Sequence, residues 1–223
     1  MSHFFTSPVG KKFIMSITGI FLMLFLIVHL TVNSLLMVGS DAFNSAAHFM
    51  VTNPVVRILE PILALGFIIH IIYSAWITLK NQRYRPVHYK KLNRWGTGIW
   101  PSRNMFILGG LILIFLVIHL SNFYWKARFG HVDTVMVEGT QMQNLYGLVS
   151  GLFIQWWWYD VIYILGALFL GLHLSHGFWA AFQSLGWDND LWRVRLKRIA
   201  YVFAVIMGLG FTSIPVYFLI TSS

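Results

Sequence analysis

Five long apolar stretches, separated by polar breaks, constrain this 223-residue chain more than any other feature. A helix needs about 20 predominantly apolar residues to cross the hydrocarbon core of a bilayer. The stretches at 13–38, 55–79, 104–125, 156–182 and 199–220 all reach that length. Inside lipid no water is at hand for backbone N–H and C=O groups, so helices are the expected form. The chain is therefore read as an all-α membrane protein, one transmembrane domain over 1–223 built as a five-helix bundle. Charged residues make up only 10% of it, against about 25% in a soluble domain. The first stretch begins behind Lys11 and Lys12 but is longer than a signal-peptide core. No A-x-A site follows it, so it is expected to stay as a helix.

The basic residues fall unevenly between the breaks. Lys11 and Lys12, then Lys80, Arg83, Arg85, Lys90, Lys91, Arg94 and Arg103, then Arg193, Arg195, Lys197 and Arg198 share one side. Only Arg57, Lys126 and Arg128 fall on the other. Loops rich in Lys and Arg stay cytoplasmic. The expected orientation has the N-terminus in the cytoplasm and the C-terminus outside, with the short tail 221–223 leaving no outer domain. The same rule accounts for the net charge of +9 without invoking nucleic acid. The longest outer break, from Lys126 to Gln155, contains a moderately apolar segment at 142–153 that is expected to be a short interfacial helix. Trp156, Trp157, Trp158 and Tyr159 after it read as an interfacial aromatic belt. Gly147 and Gly151 form a G-x-x-x-G spacing, a weak signal of close helix packing.

Cysteine is absent. No iron–sulfur cluster can be ligated here by thiolates, and no c-type haem can be attached. Any metal ligands are then expected to be His or carboxylate. Nine histidines are present. His3, His48, His88 and His131 lie in polar segments and read as solvated loop positions. The other five lie inside spans: His29 in the first, His70 in the second, His119 in the third, His173 and His176 in the fourth.

An ionisable residue at membrane depth is a functional candidate by default. Helix rise then assigns levels. His29 and His119 lie roughly 25 Å above the cytoplasmic edge, whereas His70, His173 and His176 lie roughly 14–18 Å above it. Two pairs at levels about 10 Å apart cannot build one tetrahedral zinc site. A proton relay would add carboxylates, and the only ones near a span, Glu60 and Asp160, sit at outer ends. Two irons, each held by two imidazoles, suit the pattern, and bis-His haem needs little else from a protein beyond apolar packing. His29 with His119 is the expected outer pair. His70 with either His173 or His176 is the expected inner pair.

The residues then resemble a known family: the di-haem cytochrome b anchor of succinate:quinone oxidoreductases, in the class with a single five-helix chain. The likeness runs through Ser16-Ile-Thr-Gly19 ahead of His29, then His70, His119, Asn144-Leu-Tyr146, and the stretch His173-Leu-Ser-His176-Gly177-Phe-Trp. It covers essentially the whole chain, through order and spacing and not through one specific motif. It implies two b haems, the outer held by the first and third helices and the inner by the second and fourth. The family ligand lies four residues before a glycine, which maps to His173 and leaves His176 beside a propionate or a quinone. Ser16, Thr18 and Arg103 become candidate propionate neighbours. The resemblance further implies a flavoprotein subunit with FAD and an iron–sulfur subunit on the cytoplasmic face of a bacterial cytoplasmic membrane. Both of those groups would lie outside this chain.

The implied function is electron transfer from the iron–sulfur subunit through two haems to a membrane quinone, without succinate chemistry in this chain. Moving one charge across a membrane is worth about 2.3 kcal/mol per 100 mV, so outward electron flow could help reduce a low-potential quinone such as menaquinone. Glu60, Arg57 and Asp160 lie at the level expected for quinone or proton handling, although each alone is an ordinary helix-end charge. A quinol:fumarate reductase anchor shares the architecture. Gly171 and Leu172 before His173, where a carboxylate would suit fumarate reduction, tilt the reading toward succinate oxidation. A haem b subunit of another respiratory dehydrogenase and a haem-free transporter are the remaining alternatives.

Overall fold

The computed structural model describes residues 6–84, 100–187 and 189–221. Arg85, Lys90, Lys91, Arg94, His3, His88 and the end of the C-terminal tail, all used above, lie outside the described residues. Five helices are long and apolar enough to cross a membrane: Pro8–Met37, Pro54–Arg83, Met105–Phe129, Trp157–Ser184 and Asp190–Thr221. The chain is a multi-pass membrane protein. Its elements are α1 (Pro8–Ser34), a 3-10 turn (Leu35–Met37), α2 (Ser40–Thr52), α3 (Pro54–Arg83) and α4 (Trp100–Arg103). After them come α5 (Met105–His119), a π-helical turn (Leu120–Tyr124), α6 (Trp125–Phe129) and the strands β1 (Thr134–Val137) and β2 (Thr140–Gln143). Helices α7 (Leu145–Gln155), α8 (Trp157–Ser184) and α9 (Asp190–Thr221) complete it.

Local chemistry starts the first two spans. At α1, Ser7 Oγ accepts from Gly10 N at 3.0 Å and Pro8 opens the helix. At α3, Asn53 Oδ1 accepts from Val55 N and Val56 N, and Pro54 follows. A polar cap satisfies N–H groups that a first helical turn leaves unpaired, and proline tolerates that turn because it has no N–H to satisfy. Along α3, Ile58, Leu65 and Ile72 recur every seven residues and are more than half exposed. Side chains seven apart share a helix face, so this face is turned to lipid.

Neighbours are set by packing. Helix α1 lies between α3 and α8, α5 packs on α8, and α9 runs along α8 and touches α1. The closest approach is where α8 crosses α9. A Cβ built on Gly171 would lie 3.2 Å from Ala204 O and 3.4 Å from Gly208 Cα, so a side chain at 171 would push the helices apart. The G-x-x-x-G of 147 and 151 plays no such part. A Cβ at Gly147 would strike the side chain of its own helix cap, Asn144, and one at Gly151 would meet nothing within 4 Å.

Three features differ from the sequence expectations. Helix α9 begins at Asp190, so Arg193, Arg195, Lys197 and Arg198 stand on its first turns and not in a loop. Asn189 Oδ1 caps it by accepting from Trp192 N at 2.8 Å, and no Gly or Pro interrupts 190–207. Hydropathy marks where a helix meets lipid, whereas capping decides where it starts. The break at 39–53 holds the helix α2. The break at 126–155 holds a hairpin as well as α7. Its register pairs Val135 with Met142 and Val137 with Thr140 across the two-residue loop Glu138-Gly139. Both loop residues have positive φ, 49° and 80°, the geometry of a tight hairpin turn that favours glycine.

These pieces form a cap over one end of the bundle. Asn44 of α2 is 1% exposed. It donates to Asn144 Oδ1 at 3.3 Å and accepts from Tyr146 N at 2.8 Å, tying α2 to the start of α7. Phe43, Val149, Phe153, Tyr163, Ile214 and Phe218 pack beneath it. The opposite, basic end carries Lys11, Lys12, Lys80, Arg83, Arg103 and the first turns of α9. The termini are not assigned to a membrane side by this geometry.

Candidate functional site

The span histidines occupy two layers inside the bundle. In the layer toward the capped end, His29 of α1 faces His119 at the end of α5. Their ring centroids are 5.7 Å apart and the rings are nearly perpendicular, at 86°. Phe25 stacks on His29 at 5.1 Å, one turn earlier on α1. Phe115, Phe123 and Tyr163 surround His119 at 5.4–5.9 Å. The π-helical turn begins directly after His119. Single π turns inside helices concentrate at functional sites because the extra residue re-aims a side chain. Here the turn carries Asn122, which is buried and donates to Tyr163 Oη at 3.3 Å.

In the layer toward the basic end, His70 of α3 lies against α1. Its Nδ1 is 3.3 Å from Thr18 Oγ1, and a Cβ built on Gly19 would meet its Cε1 at 3.4 Å. His173 of α8 lies against α5, where a Cβ on Gly109 would meet its Cε1 at 3.9 Å. His176, one turn on, meets Trp179 edge-on at 5.0 Å, and the Lys197 ammonium of α9 lies 4.9 Å over that same Trp179 ring.

Contacts give the layer spacing on two helices. On α1 the His70 contact, Thr18, lies eleven residues before His29, and on α5 the His173 contact, Gly109, lies ten before His119. At 1.5 Å per residue the layers are roughly 15 Å apart, more than the sequence-derived levels implied. Counting from charged flanks assumes that all helix ends share one plane, whereas a contact measures level directly.

Do these residues fit haem? An imidazole nitrogen binds a metal at about 2 Å, which places two trans rings roughly 6 Å apart by centroid. The His29–His119 separation matches. Each layer holds a buried ring nitrogen without a hydrogen-bond partner: Nδ1 of His119 in one, and Nδ1 of both His173 and His176 in the other. Buried polar atoms are rarely left unpaired, so an orphaned nitrogen in each layer fits a ligand-binding role for both. Among the described residues no group of three or more His, Cys, Asp or Glu side chains could hold a metal ion.

The other candidates divide. Ser16 is buried, and its hydroxyl donates back to Lys12 O at 2.8 Å. Thr18 touches an imidazole. Arg103 ends α4 and is exposed. Glu60 accepts a hydrogen bond from Tyr124 Oη and pairs with Arg128 Nη2 at 3.8 Å. Its cationic partner is therefore Arg128 and not Arg57, which is exposed on α3. Asp160 is completely enclosed in the first turn of α8, with neither carboxyl oxygen bonded to another residue.

Sequence reasoning missed Tyr124, Arg128, Asn122 and Tyr163, and also Lys11, whose ammonium lies 3.5 Å over the Trp76 ring while the residue is 4% exposed. The Asn122–Tyr163 pair left no readable signal, since it joins α5's extension to α8 only in space.

No protein-family model matches the chain, and no solved structure matches it. A curated relative does: the succinate dehydrogenase cytochrome b558 subunit of Bacillus subtilis is 31% identical over 160 residues, covering 70% of this chain and 69% of the relative. With five apolar spans and that identity over most of both chains, this protein belongs to the family of succinate dehydrogenase cytochrome b subunits.

Proposed function

We propose that this chain anchors a succinate:quinone oxidoreductase in a bacterial cytoplasmic membrane and carries electrons to a membrane quinone, menaquinone being the suited acceptor. The carrying observation is the two histidine layers, with the His29–His119 rings set at a separation at which both could hold one metal. His29 and His119 would hold one b haem, and His70 and His173 the other. Two such groups would pass electrons one at a time from an iron–sulfur subunit, itself fed by a flavoprotein that oxidises succinate.

The chain's own residues do the positioning. Thr18 at His70 Nδ1 favours the tautomer whose Nε2 carries a free lone pair, since a hydrogen bond at one ring nitrogen selects the other as ligand. The edge-on packing of His176 against Trp179 supports His173 as the fourth ligand. Around His119 the aromatic rings keep water out. The partner subunits would dock at the basic end, which the charge rule puts in the cytoplasm.

Quinone reduction is assigned to the capped end. Glu60, held by Tyr124 and Arg128, is placed to deliver protons to a quinone ring. The exposed apolar side chains of Ile58, Leu59 and Ile62 beside it offer an approach from lipid.

A redox titration of the purified complex, followed in the visible spectrum, tests the reading. Two separable b-type components are expected, together with co-purifying flavoprotein and iron–sulfur subunits. A complex without b-type absorbance would overturn it. Glu60→Gln is expected to slow quinone reduction while leaving both b-type components, and an unchanged rate would remove Glu60 from the site.

A further inference from the structure

Helix α1 presents a polar side chain to one imidazole of each layer. Thr18 Oγ1 lies 3.3 Å from His70 Nδ1, and Asn33 Nδ2 lies 3.4 Å from His29 Nδ1. The facing imidazoles, His119 and His173, have no partner at Nδ1. The two polar groups differ in what they can do. The Thr18 hydroxyl donates its hydrogen to the main chain, with Ile14 O at 2.9 Å and Met15 O at 3.0 Å, so toward His70 it can only accept. The Asn33 amide carries both an acceptor and a donor.

Asn33 stands one turn after His29 and Phe25 one turn before it, so the three share a face of α1. Phe25 stacks on the imidazole at 5.1 Å. Asn33 Nδ2 donates to His29 O at 2.8 Å, which keeps the amide beside the ring. An imidazole that gives Nε2 to a metal carries its hydrogen on Nδ1, and only an acceptor can receive that hydrogen. A half turn of the amide brings Oδ1 to Nδ1 and releases Nδ2 from His29 O, so one hydrogen bond replaces another. An acceptor at the second ring nitrogen makes the imidazole a more basic ligand. A more basic ligand favours the oxidised metal, which is the poorer in electrons.

We propose that Asn33 is the positioning residue of the capped-end layer: its amide accepts from Nδ1 of His29, orients the ring and lowers the potential of the group bound there. The proposal rests on the reading of His29 as a ligand. Its own content is that a side chain one turn beyond the ligand sets the ligand's basicity.

The test is a redox titration of the intact complex carrying Asn33→Leu or Asn33→Asp, followed in the visible spectrum of the two b-type components. Leucine fills the space of the amide and accepts nothing. It is expected to raise the midpoint potential of the component that His119→Leu deletes. At a fixed ambient potential its reduced-to-oxidised ratio should grow about tenfold, the low end for losing an outer partner. For one electron that is a shift of about 59 mV. The other component should not move. Aspartate keeps an acceptor oxygen and lacks the N–H donor, so it should hold the potential at or below the native value. No rise in Asn33→Leu, an equal rise in Asn33→Asp, or equal shifts of both components would overturn the proposal. If Asn33→Leu loses the component altogether, Asn33→Asp decides: a component kept at or below the native potential supports the proposal, and a raised or lost one overturns it. His29→Leu separates the two readings. If it leaves both b-type components, His29 is no ligand and both readings fall. If it removes one while the Asn33 variants shift nothing, only the role of Asn33 falls.

Discussion

The two histidine layers use one side chain in unlike surroundings. At the capped end His119 is packed among Phe115, Phe123 and Tyr163, with Asn122 and the enclosed Asp160 nearby in the chain. At the basic end His70 and His173 rest against Thr18 and glycine positions, with Lys11 over Trp76 and Lys197 over Trp179 at the same end. A redox centre's potential responds to burial, hydrogen bonding and nearby charge as well as to its ligands. Cations favour the form that has gained an electron. The basic-end layer should therefore be the more easily reduced of the two, and the aromatic layer the less. Identical side chains do not imply identical chemistry when the surroundings differ.

The sharpest way to break the comparison is to delete a ligand from one layer. His119→Leu should remove one b-type component and leave the other, read by reduced-minus-oxidised spectra, and His173→Leu should remove the complementary one. His176→Leu should keep both. Loss of the same component from both ligand variants would end the two-layer reading.

A smaller effect is expected from Thr18→Val, which removes the hydroxyl at His70 Nδ1. Loss of such an outer partner costs metal sites about 10–100-fold in affinity. The basic-end component should be lost first as the complex is diluted in detergent. Equal loss from both layers would show that Thr18 does not act on His70.

Tyr163→Phe addresses the aromatic layer. It leaves the buried Asn122 amide without its acceptor, a penalty of about 1–3 kcal/mol. A lower Tm with both b-type components retained is expected. An unchanged Tm would mean that the Asn122–Tyr163 bond contributes nothing to stability.

The finest test is Lys197→Gln. Removing one cation should lower the midpoint potential of the basic-end component by roughly tens of millivolts, the scale of a single partly screened charge. The aromatic-layer component should not move. Equal shifts in both would indicate a general change in assembly and not a local field.

Much of this architecture was legible because it is local. Membrane-crossing length and a histidine in each of four spans are properties of consecutive residues, whereas the Ser7-Pro8 and Asn53-Pro54 helix starts, equally local, went unread. The Glu138-Gly139 turn between alternating strands was equally local, yet it went unread beside the stronger apolar signals. The true start of α9 was hidden because hydropathy fades at the lipid boundary while the helix continues, capped by Asn189.

The sequence by itself determined that the chain crosses a membrane five times, that it offers imidazoles and no thiolates inside its spans, and that its basic residues gather at one end. Those follow from side-chain chemistry and the 1.5 Å rise of a helix. Tertiary structure alone decided that His29 meets His119, that His70 lies against Thr18 and His173 against Gly109, and that Glu60 pairs with Tyr124 and Arg128. Each of those contacts joins different helices, and helix rotation and crossing are set by packing, as where Gly171 meets Gly208. No repeat within one segment encodes which face of a helix will find which neighbour.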